Sequence, residues 1–396
     1  MSMAPLHADA RAGARVVARS RLVERRLARF QPQVQARVRA VAALHPRLAD
    51  LALSFPALLF ALAVPRAGSN VARAIQHTID GAPLKEISDI LNLPLWLRAV
   101  EAGAFCEPIP ELPNGELFRR QIGNYLPTDA RRFERWVRAV SDADRWADQA
   151  LALWVARELR RNDRKIGLEQ LRGVCLWAWC SRHCVFDGVL AFERRWGPAM
   201  QFETAVDVAR GWFRRVNLHM YLGDQCIEDT WLAPGVVDGY EFVALRSAAD
   251  IAEEAAAMKH CVADYVDSIA HDCCRIWSMR RDGIRVATVE VGRPTEDPLP
   301  AIAQLKAAHN GIVGTEVWLI ARRWLNAHDP LAISRPARAW GTVPLDRCAW
   351  RKTWRYYWLS KKCIPSWLPL TPSYDAMSQL MYGERTQRHR RQRRRR

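Results

Sequence analysis

Apolar side chains recur every three or four residues through the first half of the chain, the period of a helix with one buried face. Val16, Val23, Leu27 and Phe30 form one such stripe, ringed by Arg15, Arg19, Arg25, Arg26 and Arg29. Pro32 ends it, and Val34, Val38 and Val41 begin a second that stops near Pro46. These are expected as basic amphipathic helices, packed by the stripe with Arg reaching outward. The apolar run Leu51–Val64 contains Pro56 and is 14 residues long. A membrane span needs about 20, so a buried helix begun or kinked at Pro56 is expected instead. Further stripes follow at Trp146, Ala150, Trp154 and Val155, and at Leu168, Leu171, Cys175 and Trp179. Thr204 is placed to cap the helical segment that ends near Val216.

Between them, Leu84, Ile87, Ser88 and Leu91 share a helical face. Asn92 tolerates a left-handed turn and Pro94 can open a second helix. That outline fits a helix-turn-helix that reads DNA, or a structural hairpin in which Trp96 and Leu97 are buried.

After Val216 the period falls towards two. Tyr240–Leu245 alternates as a strand does. Ser247 and Asp250 frame the start of a helix running to about Met258. A short helix carries Cys261 to Ile269. Cys274–Met279 and Val286–Val291 are strands joined by the hairpin signal Arg281-Asp282-Gly283. Ala301–Leu305 is a third strand of that meander, beyond a loop marked by Pro294, Pro298 and Pro300, and Thr315 begins a helix through about Asn326. Val286–Val291 and Ala301–Leu305 should pair, bringing Gln304 towards His260.

Charge divides the chain differently. Residues 1–48 hold ten Arg against Asp9 and Glu24, residues 49–334 carry a balance of −4, and residues 335–396 carry +13. A mildly acidic middle thus lies between two basic ends, which attract polynucleotide phosphates or an anionic surface. Around Arg347, Arg351, Lys352, Arg355 and Lys361 the aromatics Trp354 and Trp358 are interleaved with cations, as in surfaces that stack bases and hold phosphates, or in an aromatic core with cations reaching outward. Arg385–Arg396 has eight Arg in twelve residues. Arg390, Arg391, Arg393 and Arg394 of that tail are expected to bind polyanion without reading sequence, from a segment disordered in isolation.

Ten cysteines and no continuous apolar stretch in residues 1–30 point to free thiols in a reducing cytoplasm. An Arg-rich, acid-poor start also fits an organelle transit peptide. Cys180, His183 and Cys184 can share a helix face, but a second pair of zinc ligands at finger-like spacing is missing. His260, Cys261, His271, Cys273 and Cys274 are zinc donors whose adjacent pairs do not readily close one tetrahedron. No metal and no cofactor is therefore expected.

The densest chemistry is at His260-Cys261-Val262, with Gln304 and His309-Asn310 some fifty residues on. A nucleophilic Cys261 needs a base. On a helix His260 points about 100° away from it, so His309 is the better candidate. Gln304 can donate to an oxyanion, Asn310 can orient the imidazole, and Asp264 can fix the tautomer of His260. The alternative is a packed Cys261 with polar neighbours that bond buried backbone at sheet ends.

Leu245-Arg246-Ser247, Asp250, Glu254, His260-Cys261-Val262, Tyr265, the strand Ile276-Trp277-Ser278-Met279-Arg280, the strand Thr288-Val289-Glu290-Val291, Gln304 and Asn310, in this order, resemble the PcfJ-like family from about Trp231 to Asn310. That family is found with conjugative plasmids and other bacterial mobile elements. Ala255 and Ala263-Asp264 stand where the family usually has glycine. The resemblance implies context rather than a mechanism.

The expected fold class is α+β: a helical N-terminal half, a small antiparallel-sheet domain and a basic, Trp-rich C-terminal segment. The expected domains are 1–50, 51–215, 216–330, 331–384 and the tail 385–396. The expected partners are DNA or RNA, bound largely without sequence preference, and proteins of a mobile element. A thiol-dependent enzyme using Cys261 with His309 or His260, and a scaffold for protein partners or anionic membrane, are the alternatives.

Overall fold

The computed structural model describes residues 20–127, 129–162, 166–293, 298–334 and 345–382. The expectations for the first residues of the N-terminal helix, for the 294–297 part of the proline loop and for the Arg tail lie outside them. The chain forms two compact units, one of Met1–Trp179 with Gly197–Glu203, the other of Cys180–Trp196 with Thr204–Arg396.

The first unit is helical, and proline sets its punctuation. Pro32, Pro46 and Pro56 each stand at the start of a helix, Pro32–Ala43, Pro46–Ser54 and Pro56–Ala63. A proline costs nothing there, because its missing N–H would have had no helical partner. The apolar run is thus broken at Phe55 into two helices, and Ala57–Phe60 and Leu62 are buried in the second. No helix among the described residues is long and apolar enough to cross a membrane. Trp146 and Trp154 belong to separate helices, Ala130–Trp146 and Gln149–Asn162, not to one stripe. The next long helix opens at Phe202, ahead of the expected cap at Thr204. The Phe202 N–H donates to the buried Glu158 carboxylate at 3.1 Å.

The helix-turn-helix outline is half realised. Leu84–Ile90 is helical and Asn92 has φ 49°, as the turn requires. The element after Pro94, however, is a five-residue 3-10 turn, Leu95–Ala99, with Leu97 buried. It is too short and too apolar on its inner side to lie in a groove as a reading helix.

The second unit is built on a five-stranded antiparallel sheet in sequential order. Its strands are β1 Gly235–Val237, β2 Tyr240–Ala244, β3 Cys274–Arg281, β4 Ile284–Gly292 and β5 Ala301–Lys306. Strand β1 is an addition to the expected set. It is joined to β2 through Asp238 and Gly239, with φ of 50° and 77°. Asp282 and Gly283, with φ of 51° and 76°, join β3 to β4. Positive φ at both central residues matches the right-handed twist of the strands they connect.

Three helices flank the sheet, α1 Ala248–Met258, α2 Val266–Ala270 and α3 Thr315–Asn326, and a fourth, α4 Arg347–Lys361, follows later in the unit. Helix α1 begins with the expected capping box, Ser247 and Asp250 bonding each other's backbone N–H. The single short helix expected from Cys261 is a 3-10 turn, Val262–Tyr265, running into α2. One sheet face packs Phe242, Trp277, Met279, Val289 and Leu305 against Ile320 and Trp324 of α3. Phe242 and Trp324 stack with ring centroids 4.3 Å apart. The opposite face packs Leu245, Cys274 and Ile276 against Ile251 of α1 and Val262, Val266 and Ile269. Burial on both faces explains why β3 reads as continuous rather than alternating. The fold is α+β, a helical N-terminal region followed by this sheet with its helices.

Candidate functional site

Helix α1 is rich in alanine and directs Ile251, Glu254 and Met258 inward at three- and four-residue spacing. Glu254 is therefore a carboxylate at a core position, with no exposed surface. A buried charge is tolerable only with partners on its oxygens. Oε1 accepts the Thr288 hydroxyl at 2.6 Å, and Oε2 accepts from Arg285 Nε at 2.9 Å. Arg285 also reaches Glu253 Oε1 at 2.5 Å. Both Thr288 and Arg285 come from β4.

At Lys259, φ is 50°, and the chain leaves the helix axis there. His260 follows, its N–H donating to the Ala255 carbonyl at 3.3 Å. Its ring nitrogen Nε2 lies 2.7 Å from Thr288 Oγ1. A hydroxyl has one proton, and Thr288 gives that proton to Glu254. Thr288 therefore accepts from His260, which places the imidazole proton on Nε2. Nδ1 is left with its lone pair and has no hydrogen-bond partner among the described residues. Burial holds the ring's pKa below the ordinary histidine value, against the pull of its own backbone carbonyl and of Glu254. The ring is thus held neutral with one nitrogen available as an acceptor.

His260, Cys261, Tyr265, Thr288, Glu290, Gln304, Lys306 and Asn310, with Val262 and Ile276, line one cleft of about 310 Å³, open solvent included. Register explains the far wall. Thr288 pairs with Lys306 and Glu290 with Gln304, and the register shifts between Glu290 and Val291. Such irregularities commonly re-aim a side chain beside a site. Burial raises the pKa of Glu290, whose Oε2 has no partner among the described residues. The Tyr265 hydroxyl is also pushed up, by burial and then by Glu290 and Cys261, while its hydrogen bond with Gln304 opposes the shift.

Residues 231–314 match the PcfJ-like protein family. The match holds all five strands, α1, α2 and every residue lining the cleft. No curated protein and no solved structure matches the chain.

Within the PcfJ-like region, His260, Cys261, Gln304 and Asn310 share the cleft. His309 does not line it; it sits exposed in the turn Ala308–Asn310 with φ 58°. Cys261 Sγ donates instead to Asn310 Oδ1, at 3.8 Å. The pairing expected between Cys261 and His309 is thus replaced by a thiol–amide contact. Asp264 does not set the tautomer of His260 either. It pairs with Arg214 at 3.0 and 3.3 Å, and Thr288 with Glu254 does that work. Glu254 and Thr288 stood in the family pattern without an assigned role. The signal was legible: a carboxylate at the inward position of an alanine-rich helix.

Helix α4 is the second candidate surface. Asp346 caps it, accepting from the Cys348 and Ala349 N–H groups. Arg347, Arg351, Lys352 and Arg355 are exposed, and Lys361 is half-buried. Trp354 and Trp358 are buried, with Trp350 and Tyr357, on the other side. Trp350 and Trp358 donate to the Pro369 and Leu368 carbonyls at 2.7 and 3.1 Å. The faces of Trp354 and Trp358 are engaged inside the protein, which corrects their expected use as base-stacking platforms. Tyr356, 55% exposed, is the aromatic that α4 presents outward. Arg390, Arg391, Arg393 and Arg394 lie outside the described residues.

Proposed function

We propose that this is a PcfJ-like accessory protein that binds nucleic acid through its basic segments. The observation that carries the reading is the division of α4. Trp350, Trp354, Tyr357 and Trp358 are spent on packing, while Arg347, Arg351, Lys352 and Arg355 all face solvent. Cations presented together on one helix neutralise phosphates and release their counterions. The charge of the chain supports the same reading, since both ends are basic around a mildly acidic middle. Binding of this kind holds the sugar-phosphate backbone and confers little sequence preference. The family context, mobile elements and conjugative plasmids, makes a polynucleotide and its handling proteins the fitting partners.

The test is fluorescence anisotropy with labelled single-stranded and duplex oligonucleotides. Replacing Arg347, Arg351, Lys352 and Arg355 with Ala together weakens both to a similar degree. Affinity that the replacement leaves unchanged removes the reading.

A further inference from the structure

Two buried polar atoms in the PcfJ-like cleft remain unaccounted for by packing. Nδ1 of His260 is an acceptor with no donor, on a side chain only 9% exposed. Oε2 of Glu290 likewise has no partner among the described residues. Unmet polar atoms are costly to bury, and a protein interior holds few of them. These two residues line one cleft, together with Lys306, the amides of Gln304 and Asn310, and the phenol of Tyr265. The Glu254–Thr288 relay spends its hydrogen bonds on fixing which nitrogen of His260 is bare. Packing alone requires no such fixing.

We propose that this cleft is a general acid–base site that cleaves single-stranded RNA by internal transesterification, His260 taking the proton of a ribose 2′-hydroxyl and Glu290 protonating the leaving oxygen. The choice of substrate rests on the nucleic-acid reading above. RNA brings its own nucleophile, so the step needs no further reactant. The 2′-hydroxyl proton passes to His260 Nδ1 as the 2′-oxygen forms its bond to phosphorus. The bond from phosphorus to the 5′-oxygen breaks, and that oxygen takes the proton of the Glu290 carboxyl. The products are a 2′,3′-cyclic phosphate and a free 5′-hydroxyl. His260 then loses a proton to solvent and Glu290 regains one. Lys306, cross-strand from Thr288, supplies the cation that a developing phosphorane dianion requires. The environments push the two groups the right way, His260 down and Glu290 up, each chiefly through burial. Groups whose environments separate them in this manner commonly divide acid and base roles. Both reacting atoms are shielded from solvent, and at the same cleft Asn310 of the turn Ala308–Asn310 is tied to Cys261. Thr288 and Glu254 are positioning residues, since they act through His260.

The experiment incubates the full chain with end-labelled single-stranded RNA, and with DNA of the same sequence, in the presence of EDTA. Anisotropy is read on the same samples. RNA is cut to fragments with cyclic phosphate ends, and DNA is bound but intact. His260→Gln and Glu290→Gln each lower the cleavage rate by about 100-fold or more, the usual scale for an acid or base, with binding retained. Thr288→Ser keeps cleavage and Thr288→Val loses it, which separates a relay from a packing role. RNA bound but uncut overturns the acid–base proposal while the nucleic-acid reading stands. Cleavage by the Glu290→Gln protein at the full rate overturns it as well. RNA that is not bound at all overturns both.

Discussion

A carboxylate out of reach of water needs a donor on each oxygen, and Glu254 has one from Thr288 and one from Arg285. Removing it leaves the buried Thr288 hydroxyl without its acceptor and takes one of two carboxylates from the half-buried Arg285. Glu254→Ala is expected to destabilise the protein by about 3 kcal/mol or more, the cost of breaking a buried pair. Urea unfolding of the full chain checks this, and a loss under about 1 kcal/mol, the scale of an exposed ion pair, would show that the pair is not structural. His260 gives a pH dependence whose sign follows from burial. The unfolded chain takes up a proton near the ordinary value of 6.5, the folded chain only at lower pH. The contribution of His260 is therefore complete above about 6.5 and is lost as pH falls through the folded value. Glu290 acts in the opposite sense, adding stability at low pH that is lost as pH rises above 4.5 through its raised folded value. Unfolding midpoints of wild type and His260→Gln, measured from pH 8 to pH 5, should differ in slope below pH 6.5. Parallel curves would contradict a buried neutral ring.

Among the elements, those with a local chemical signature were readable from the chain. Ser247 and Asp250 announced the start of α1, Asp282-Gly283 announced the hairpin between β3 and β4, and α3 runs over the expected span. Ser247→Ala should cost about 1 kcal/mol through the lost cap. Ser247→Asp should recover most of it, and thermal unfolding distinguishes the two. Elements defined by their neighbours were harder to read. Strand β1 is three residues long, too short to show alternation, although Asp238-Gly239 carries the same turn signal as its counterpart. The expected second helix after Pro94 is a 3-10 turn because Leu97 must reach the core. The site divides in the same way. His260, Cys261, Gln304 and Asn310 were legible because a meander returns β5 to α1. The roles of Glu254 and Thr288, and the absence of His309 from the cleft, depend on register and on left-handed residues that periodicity does not encode. Nor does an interleaved pattern of Trp and Arg reveal which side of α4 is packed.

At the scale of the whole molecule, charge and fold are separated. Around the sheet, ions are held in pairs such as Arg214 with Asp264 and Arg285 with Glu254. The net positive charge belongs to the flanking sequence, and on α4 it is presented outward. The proposed binding of polynucleotide by phosphate neutralisation has a quantitative signature. The logarithm of the binding constant falls linearly with the logarithm of salt concentration, by about 0.9 for each duplex phosphate contacted. The decisive measurement is that slope for the full chain and for the protein with Arg347, Arg351, Lys352 and Arg355 replaced by Ala. A steep slope that becomes shallower by about 3 to 4 on replacement, one step for each lost contact, is the expected result. A slope near zero in the full chain, or one that the replacement leaves unchanged, would contradict nucleic-acid binding through this surface.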